Sequence, residues 1–465
     1  MRILHVGWGF SPWRSGGLIE YSENLMDLQV QLGDQVGYFF AGRCYPFTRD
    51  SYLRRWKRGE ILYFEVVNPP IQHCGDQGTF PPEFELGEPL TEKLFRKAVD
   101  AFRPDIIHIQ ELSGLPFTII DIIRDELFLP VVMTLHNYFL LCPTLNFFTP
   151  KESFCKFLED DPDCAGCISA GFNSDQLILR TLGFENRKLL LQMWVVWQRI
   201  MNLFGKQFHP PLSRDALESV FARRRNENTE RLRSIELLIA QSYRTREIYA
   251  EYTGRKDIVV LHSSAAHISK LYPRKMYPSE KKIRFVTLNG CASVFKGARV
   301  LLEALVLLQE RGLGDRFMLD VWGGVHECVY RELISLPMVV YHGFYRLEQL
   351  DDILQVPDVG IIPSICEEVY GYVGIEFLAK GIPVIGNKRG GIPDYVWDGK
   401  SGWLNESCTS KELAEIMEAI IREPLNILPF NRWIVENRSL LITDMMSHAN
   451  ELSMLYDHAI SIKGR

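Results

Sequence analysis

Several features that would define a protein class are missing from this sequence of 465 residues. No apolar run reaches the ~20 residues that a membrane-spanning helix requires, since the longest, residues 189–204, contains Gln192, Gln198 and Arg199. Residues 1–7 are typical of a buried strand ending in glycine, and they have neither the apolar stretch nor the cleavage site of a secretory signal. We therefore expect a cytoplasmic protein with no transmembrane segment.

An excess of positive charge and a biased composition are missing as well. The 52 Lys and Arg residues against 58 Asp and Glu residues give a formal net charge of −6, which provides no global positive field to gather nucleic acid or an anionic membrane. With 46% hydrophobic, 24% charged and 12% aromatic residues, the composition excludes disordered, collagen-like and disulfide-scaffold proteins. What remains is a globular chain of two or three domains that must hold any phosphate-bearing ligand with a local device.

Short apolar runs alternate with longer segments of helical period, a pattern typical of βα units around parallel sheets. The runs predict strands at 3–6, 36–40, 61–66, 105–109, 131–135, 236–240, 258–261, 283–288, 317–322, 338–341, 358–362 and 383–385. We expect a doubly wound α/β domain at 1–265, with a helical insertion at about 151–235, and a second such domain at 266–440. A terminal helix at 441–465 could cross back to the first domain.

Ligands of open parallel sheets bind beyond the carboxyl ends of the strands, so binding residues are expected in the loops there. Gly16 and Gly17 follow the first strand and would let backbone N–H groups approach a phosphate, although a plain βα turn would look the same. His136 emerges at a strand end, either as a structural residue or as part of a site. Lys296 precedes a predicted helix, where its charge and the helix dipole would act together on an anion.

The most specific pattern lies near the carboxyl end of the second series of strands. Glu368 and Glu376 are eight positions apart, the first in a loop and the second in the first turns of a helix that opens at Gly371. Backbone N–H groups near Tyr372 and Val373 could grip an anion at this helix start. Glu376 could accept hydrogen bonds from sugar hydroxyls.

Taken together, these motifs resemble the retaining GT-B glycosyltransferases of family GT4. The pattern runs Ser364, Glu368, seven residues, Glu376, then Gly381-x-Pro383-Val384 and Gly390-Gly391, preceded by Lys296-Gly297 and Gly16-Gly17. The resemblance covers residues 1–150 and 236–405. It implies two Rossmann-like domains facing across a cleft, the first binding the acceptor and the second the donor.

The resemblance further implies transfer of a sugar from a UDP- or GDP-sugar to an acceptor hydroxyl, with retained configuration and no metal or cofactor. The acceptor, whether a glycan, a lipid-linked molecule or a small molecule, is left open. In the implied front-face displacement, the departing phosphate receives the acceptor proton. The implied catalytic residues are His136 near the reaction centre, Glu368 beside the sugar hydroxyls and Lys296 at the diphosphate. The implied donor-binding residues are Glu376 at the ribose and, at the phosphates, Lys296 with Gly16, Gly17, Gly371, Tyr372 and Val373.

The chain departs from the family pattern at Asn137, where an Asp is common, at His262-Ser263-Ser264, where Pro-Asn-Gly is common, and at Cys291. The family usually has an arginine five positions before the lysine, whereas this chain has Cys291, so one of two cationic phosphate clamps is missing. We expect Arg14 or Arg389 to be the candidates for a substitute. Without one, the chain would be a weakened, nucleotide-sugar-binding pseudo-transferase. Another GT-B enzyme, a sugar-nucleotide epimerase or a phosphorylase, is a further alternative.

Two patterns could indicate a metal. Asp161-Pro162-Asp163 has the form of a metal-binding DxD motif. Because no predicted strand precedes it, we do not expect it to bind a metal. A second pattern consists of clustered cysteines that could hold a structural zinc or could be reduced thiols or an oxidised pair. Its members are Cys142, Cys155, Cys164 and Cys167.

The apolar segment 189–204 has two interpretations. Its tryptophans Trp194 and Trp197 and its apolar residues could lie on a membrane surface. Because apolar residues surround the predicted helix instead of forming a stripe, we favour burial between domains.

Overall fold

Two parallel sheets and the helices that cover them make up most of the chain. The structure, a computed structural model, describes residues 1–48, 50–73, 78–149, 153–155, 163–168, 175–203, 213–276 and 282–464. Among these residues we find no helix with both the length and the apolar character needed to cross a membrane.

The first half of the chain forms an eight-stranded sheet and a small hairpin. Their strands are β1 Arg2–Gly7, β2 Gln35–Ala41, β3 Tyr52–Arg58, β4 Ile61–Val67, β5 Gln72–His73, β6 Thr79–Phe80, β7 Ile106–Ile109, β8 Val131–Leu135, β9 Leu237–Ala240 and β10 Val259–Val260. The sheet order is β10-β9-β8-β7-β1-β2-β4-β3, parallel except for the antiparallel pair of β3 with β4. Strands β5 and β6 form the hairpin.

Helices cover both faces of this sheet. They are α1 Gly17–Gln31, α2 Pro89–Phe102, α3 Thr118–Asp121 continued by π-helical turns at Ile122–Leu127, α4 Cys164–Ile168, α5 Asp175–Phe184, α6 Lys188–Leu203, α7 Arg214–Ser234 and α8 Tyr243–Thr253. Helix α2 shows why the sequence folds this way. Glu88 accepts hydrogen bonds from the N–H groups of Leu90 and Thr91, Pro89 occupies the first turn, and an apolar stripe faces the core.

The second half forms a six-stranded parallel sheet in the order β13-β12-β11-β14-β15-β16. Its strands are β11 Ile283–Leu288, β12 Phe317–Trp322, β13 Val339–Gly343, β14 Val359–Ile362, β15 Val384–Asn387 and β16 Gly402–Asn405. The helices are α9 Ala298–Glu310, α10 Glu327–Ser335, α11 Leu350–Ile353, α12 Tyr372–Ala379, α13 Ser410–Arg422, α14 Ile427–Glu436, α15 Arg438–Leu441 and α16 Met445–Lys463.

The strand orders determine where a ligand can bind. In the second sheet the order reverses between β11 and β14, and in the first sheet it reverses between β1 and β7. Loops that leave such a point diverge to opposite faces and open a crevice at the carboxyl ends of the strands. Both sheets therefore offer a crevice at the loops that carry the motifs found in the sequence.

The last helix returns to the first sheet. Leu452 and Tyr456 of α16 pack in one buried cluster with Ile3 of β1 and with Tyr21 and Leu25 of α1. The side chain of Asp444 accepts hydrogen bonds from two backbone N–H groups in the first turn of α16 and so caps that helix. The carboxyl-terminal segment thus contributes side chains to the interior of the first half.

The predicted fold class is confirmed, and each predicted strand is found within two residues of its expected ends. The sequence did not predict β3 or β16, both of which are edge strands. Strand β3 has the sequence YLRRWKR, whose basic residues suit an exposed edge but hide the strand from a search for apolar runs. Short, half-exposed β16 lacks such a run as well.

The interpretation of segment 189–204 as a buried helix is wrong for the described residues. In α6 the side chains of Leu189, Met193 and Val196 are 71%, 51% and 55% exposed, whereas Trp194 is buried. The described helices between 163 and 234 are α4 to α7. The remaining residues of the predicted insertion, at 151–152, 156–162, 169–174 and 204–212, lie outside the described residues.

Candidate active site

A cavity of about 1250 Å³ lies between the carboxyl ends of the two sheets. Loops and helix ends from both halves of the chain line it. The cavity brings together every residue that the sequence analysis selected, namely Gly16, Gly17, His136, Lys296, Glu368, Gly371, Tyr372, Val373 and Glu376. A volume of this size accommodates a ligand larger than a simple sugar.

The glycine loop after β1 meets the second half of the chain inside this cavity. Gly16 has φ 125° and precedes α1 without any atom within 4 Å of the position that a Cβ would take. A Cβ on Gly17 would lie 2.9 Å from the ring of Tyr372. Glycine is required at the first position by its backbone and at the second by this close approach. The amino end of α1 is therefore accessible from the cavity.

Lys296 and Glu368 form an ion pair across the cavity wall. The Lys296 ammonium donates a short hydrogen bond to Glu368 Oε1, and Ser364 Oγ donates to the same oxygen at 3.0 Å. Burial favours the neutral form of each group, but their mutual attraction outweighs it, so the pKa of Lys296 is raised and that of Glu368 is lowered. Both groups are charged at neutral pH, and Lys296 already has a partner in the absence of a ligand.

Glu376 has one satisfied carboxylate oxygen and one that is free. His267 Nε2 lies 2.8 Å from Oε1, whereas Oε2 is buried and has no hydrogen-bond partner among the described residues. A buried acceptor without a donor is costly unless a ligand supplies one. Because Glu376 lines the cavity, a ligand hydroxyl could donate to Oε2.

Helix α12 directs its amino end at the cavity. Gly371 precedes it with φ 88°, and the side chain of the first helical residue, Tyr372, is held by Ser263 and Ser264. A Cβ on Gly374 would lie 2.1 Å from the ring of Tyr395, so glycine lets this ring pack against the first turn. The unpaired N–H groups of this turn and the helix dipole favour a bound anion.

His136 is held on both sides by amide side chains. The Nδ1 atom of His136 accepts a hydrogen bond from Gln241 Nε2 at 2.7 Å. The Nε2 atom of His136 donates to Gln110 Oε1 at 2.7 Å. Burial, with a contribution from His448, lowers the pKa of His136 to about 3, so the ring is neutral. With both nitrogens occupied, this ring is firmly oriented and has no free nitrogen for proton transfer.

His136 belongs to a group of four histidines that we call the buried histidine network, comprising His5, His108, His136 and His448. Gln110 joins three of them, His5, His108 and His136. The amide of Gln110 donates to Nδ1 of His5 and of His108. Tyr456 of α16 donates to His108 Nδ1 at 2.6 Å and accepts from Gln29 at 3.1 Å. The carboxyl-terminal helix therefore supports the orientation of the cavity histidine through two intervening side chains.

The position of the missing arginine is not part of the cavity. Cys291 is buried in the hydrophobic cluster of the second sheet, and this burial raises the pKa of its thiol to about 12. The prediction that Arg14 or Arg389 replaces the missing arginine is wrong. Arg14 stacks on Trp8, Arg389 approaches Glu367, and neither side chain lines the cavity. The lining cation that accompanies Lys296 among the described residues is Arg346, after β13.

Among the described residues, we find no group of three or more His, Cys, Asp or Glu residues that could hold a metal ion. Cys142, Cys164 and Cys167 are free thiols, and burial raises the pKa of Cys164 and Cys167 to about 11 and 12. Arg225 donates a hydrogen bond to Cys164 Sγ at 3.3 Å. Of the Asp-Pro-Asp motif, residues 161 and 162 lie outside the described residues, and Asp163 pairs with Arg214.

Sequence reasoning missed the side chains that orient the selected residues. These are Gln110 and Gln241 at His136, His267 at Glu376, Ser364 at Glu368, Tyr395 at the start of α12 and Arg346. Ser364 belongs to the family motif, but the motif does not predict its hydrogen bond to Glu368. Gln110 and Gln241 directly follow β7 and β9, and this strand-end position is a signal that could have identified them.

The segment that carries Lys296, Glu368 and Glu376 matches a known family. Residues 273–437 fit the family model described as glycosyl transferases group 1. The chain contains a group 1 glycosyl transferase domain. The family resemblance drawn from the motifs is thereby confirmed.

Curated relatives match this chain over limited segments. D-inositol 3-phosphate glycosyltransferase of Corynebacterium aurimucosum is 25% identical over 49% of this chain and 58% of its own length. The enzyme of the same name from Thermobifida fusca is 33% identical over 29% of this chain and 34% of its own length. The putative colanic acid biosynthesis glycosyltransferase WcaL of Escherichia coli is 32% identical over 27% of this chain and 32% of its own length. The matches thus cover between about a third and three fifths of the length of these relatives.

Solved structures match this chain over nearly its whole length. Sucrose-phosphate synthase of Thermosynechococcus elongatus has a TM-score of 0.64 at 14% identity and 99% coverage of both chains. Anabaena HepE in complex with UDP and glucose has a TM-score of 0.59 at 16% identity, covering 98% of this chain and 99% of HepE. At such identities the likeness concerns the fold, and the predicted GT-B fold is confirmed.

Proposed function

We propose that the chain transfers a glycosyl group from a UDP- or GDP-sugar to an acceptor hydroxyl with retained configuration. The observation that supports this most directly is the unpaired Glu376 Oε2 beside the amino end of α12, in the segment that matches the family. A buried acceptor and a helix start in one cavity suit a ligand that combines hydroxyls with phosphates.

In the proposed reaction, the bond between the anomeric carbon and the diphosphate oxygen breaks while the acceptor oxygen bonds to the same face of that carbon. The acceptor proton passes to the departing phosphate. Negative charge develops on the leaving diphosphate, and Lys296 with the backbone N–H groups of Tyr372 and Val373 would stabilise it. Each such donor typically contributes about 10²–10³ in kcat.

The other predicted residues would position the donor. Glu368, held by Lys296 and Ser364, would orient the sugar hydroxyls. His136 would present a fixed, neutral ring to the sugar, since both of its nitrogens are bound to amides. Gly16 and Gly17 would allow the amino end of α1 to approach the phosphates.

A pseudo-transferase is the second candidate, because two observations weaken the phosphate clamp. Cys291, which occupies the position of the family arginine, is buried in the core. Lys296 is already paired with Glu368. Such a chain would bind a nucleotide sugar without turnover.

The test is a screen of UDP- and GDP-sugars by thermal stabilisation, followed by measurement of nucleotide release with added acceptors. UDP-glucose is the first donor to try, since HepE was solved with it. Glu376→Ala and Lys296→Ala should lose binding or turnover, whereas Lys388→Ala, at an exposed lysine paired with Glu406, should lose neither. The anomeric configuration of the product, measured by NMR, checks retention.

The outcomes separate the candidates. Turnover with retention supports the proposal, and binding without turnover on any acceptor supports the pseudo-transferase. Conversion of the sugar into its epimer without an acceptor would indicate an epimerase. Absence of all nucleotide-sugar binding would refute both the transferase and the pseudo-transferase.

A further inference from the structure

Helix α6 carries an exposed apolar ridge that the cavity does not use. We define the α6 surface as Leu189, Met193, Val196 and Ile200, all of which have exposed side chains. The four helical residues are spaced by four, three and four positions, so they lie along one face of α6. A continuous row of large exposed apolar side chains indicates a binding surface more than a random scatter does.

The helix is anchored to the chain by its other face. Trp194 is buried and stacks on Trp197 with ring centroids 4.8 Å apart, and its ring lies 5.6 Å from that of Phe47. The preceding helix α5 is fixed in turn, since Thr181 Oγ1 accepts a hydrogen bond from the N–H of Cys44 at 3.2 Å. The exposed ridge is therefore a feature of a packed element.

The charged residues of α6 itself have one sign. Helix α6 has the sequence KLLLQMWVVWQRIMNL, with Lys188 and Arg199 and without any acidic residue. On a helical wheel, Lys188 and Arg199 fall on the same side of the ridge, next to it. Both side chains are exposed. An apolar stripe flanked by cations is the pattern of a helix that lies in the plane of an anionic bilayer.

More cations lie at the amino end of α6. The guanidinium groups of Arg187 and of Arg54 on β3 each lie 5.5 Å from the centroid of the Tyr45 ring, so the basic edge strand adjoins this end of the helix. Arg187 also pairs with Glu185 at 2.7 Å, and Arg54 lies 3.8 Å from Glu65, so carboxylates partly compensate these two cations. The exposed Lys188 and Arg199 of α6 are the cations that complement an anionic surface.

We propose that the α6 surface docks onto an anionic lipid bilayer. With 16 residues, α6 is about 24 Å long, which is shorter than the ~30 Å hydrocarbon core, so it lies in the interface and does not span it. A second copy fits this surface less well, because a symmetric interface would bring Lys188 and Arg199 near the same cations of the partner.

Docking would bring the first half of the cavity near the membrane. Arg180 of α5 donates to the carbonyl of Trp13 at 3.4 Å, in the loop whose neighbouring residues Ser11, Pro12 and Ser15 line the cavity. Helix α5 contacts both α6 and that loop. This proposal does not depend on the proposed function, because bilayer binding requires no nucleotide.

The test is sedimentation of the full chain with vesicles of phosphatidylcholine alone or mixed with phosphatidylglycerol. The unmodified chain should sediment with the anionic vesicles only. Leu189→Ser with Val196→Ser should weaken this binding by about tenfold or more, since apolar burial contributes to interfacial binding. Lys188→Glu with Arg199→Glu should remove the preference for anionic vesicles, and raised salt should act in the same direction.

The matched control is Leu440→Ser with Met454→Ser, two side chains that are 64% and 63% exposed on other helices. This variant should bind vesicles as the unmodified chain does. Far-ultraviolet circular dichroism checks that all variants are folded, and the charge reversal gives a second reading if the serine variant is not. Failure of the unmodified chain to bind anionic vesicles, or an equal loss in the control, would overturn the proposal. A dimer that the serine variant dissociates, with no vesicle binding, would assign the surface to a second copy.

Discussion

Two glycines bracket α9 and provide a controlled test of how the cavity is built. Gly297 precedes the helix with φ 91°, and Gly312 follows it with φ 73°, so both occupy the left-handed region. They differ in their surroundings. A Cβ on Gly297 would lie 1.9 Å from the carbonyl oxygen of Pro363, whereas a Cβ on Gly312 would have no atom within 4 Å.

The expected losses follow from these distances. Replacement by alanine costs about 1–2 kcal/mol at either position, because a side chain disfavours the left-handed conformation. For Gly297→Ala the carbonyl of Pro363 must also move, since ordinary contacts between carbon and carbonyl oxygen are ~3.3 Å or longer. Such overpacking adds about 1–3 kcal/mol. We expect the free energy of unfolding to fall by about 1–2 kcal/mol for Gly312→Ala and by about 2–5 kcal/mol for Gly297→Ala.

The two variants should also differ in ligand binding. Pro363 precedes Ser364, which donates to Glu368, the partner of Lys296 next to Gly297. Moving these segments apart by about 1 Å would cost on the order of 10²-fold in activity. Urea unfolding measures the free energy of unfolding, and calorimetric titration with the nucleotide sugar measures the affinity. We expect Gly312→Ala to bind the nucleotide sugar normally. Equal unfolding free energies and equal affinities for the two variants would refute this account of the cavity wall.

Three further predictions concern the site. Glu376→Gln should weaken nucleotide-sugar binding about tenfold or more without loss of stability, because hydrogen bonds to charged groups contribute about 1.5–3 kcal/mol, and calorimetry with the exposed Glu406→Gln as control would detect this. Gln241→Leu should lower kcat with little change in nucleotide affinity, since it frees His136 Nδ1, and an unchanged kcat would argue against positioning by Gln241. The buried histidine network should make stability fall as pH drops below about 6.5. Burial lowers the pKa of His5, His136 and His448 to about 4, 3 and 4, so the unfolded chain takes up protons first, at about 1.4 kcal/mol per pH unit for each histidine. Urea unfolding between pH 7 and pH 5 measures this slope, and a flat profile would contradict it.

The parts of the fold that the sequence predicted are those governed by local pattern. Strands β11 and β14 are apolar runs buried on both faces, and the loops after them follow from the rule for parallel sheets. The family motif added the spacing of Lys296, Glu368 and Glu376, and the cavity brings these residues within reach of one ligand. Pattern and motif together predicted the location of the site.

The interactions that orient the site could not be predicted from the sequence because they join distant parts of the chain. Gln241 lies 105 positions from His136, and His267 lies 109 positions from Glu376. Tyr456 reaches His108 across 348 positions. Such contacts depend on how helices settle on the sheets, which no local pattern encodes. The same reason explains α6, where burial of Trp194 against Phe47, and not the composition of the helix, decides which face is exposed.

The charge of the cavity gives Lys296 an unusual importance in the proposed donor complex. The described lining residues include the carboxylates of Glu20, Glu348, Glu367, Glu368 and Glu376, against the cations of Lys296 and Arg346. A diphosphate entering this acidic cavity is repelled unless it is met by specific donors, and the family arginine is absent because Cys291 faces the core. Glu368 keeps Lys296 charged, but it also competes with the phosphate for the ammonium. Donor binding therefore requires an exchange of partners at Lys296, with the amino end of α12 and Arg346 supplying the remaining positive potential.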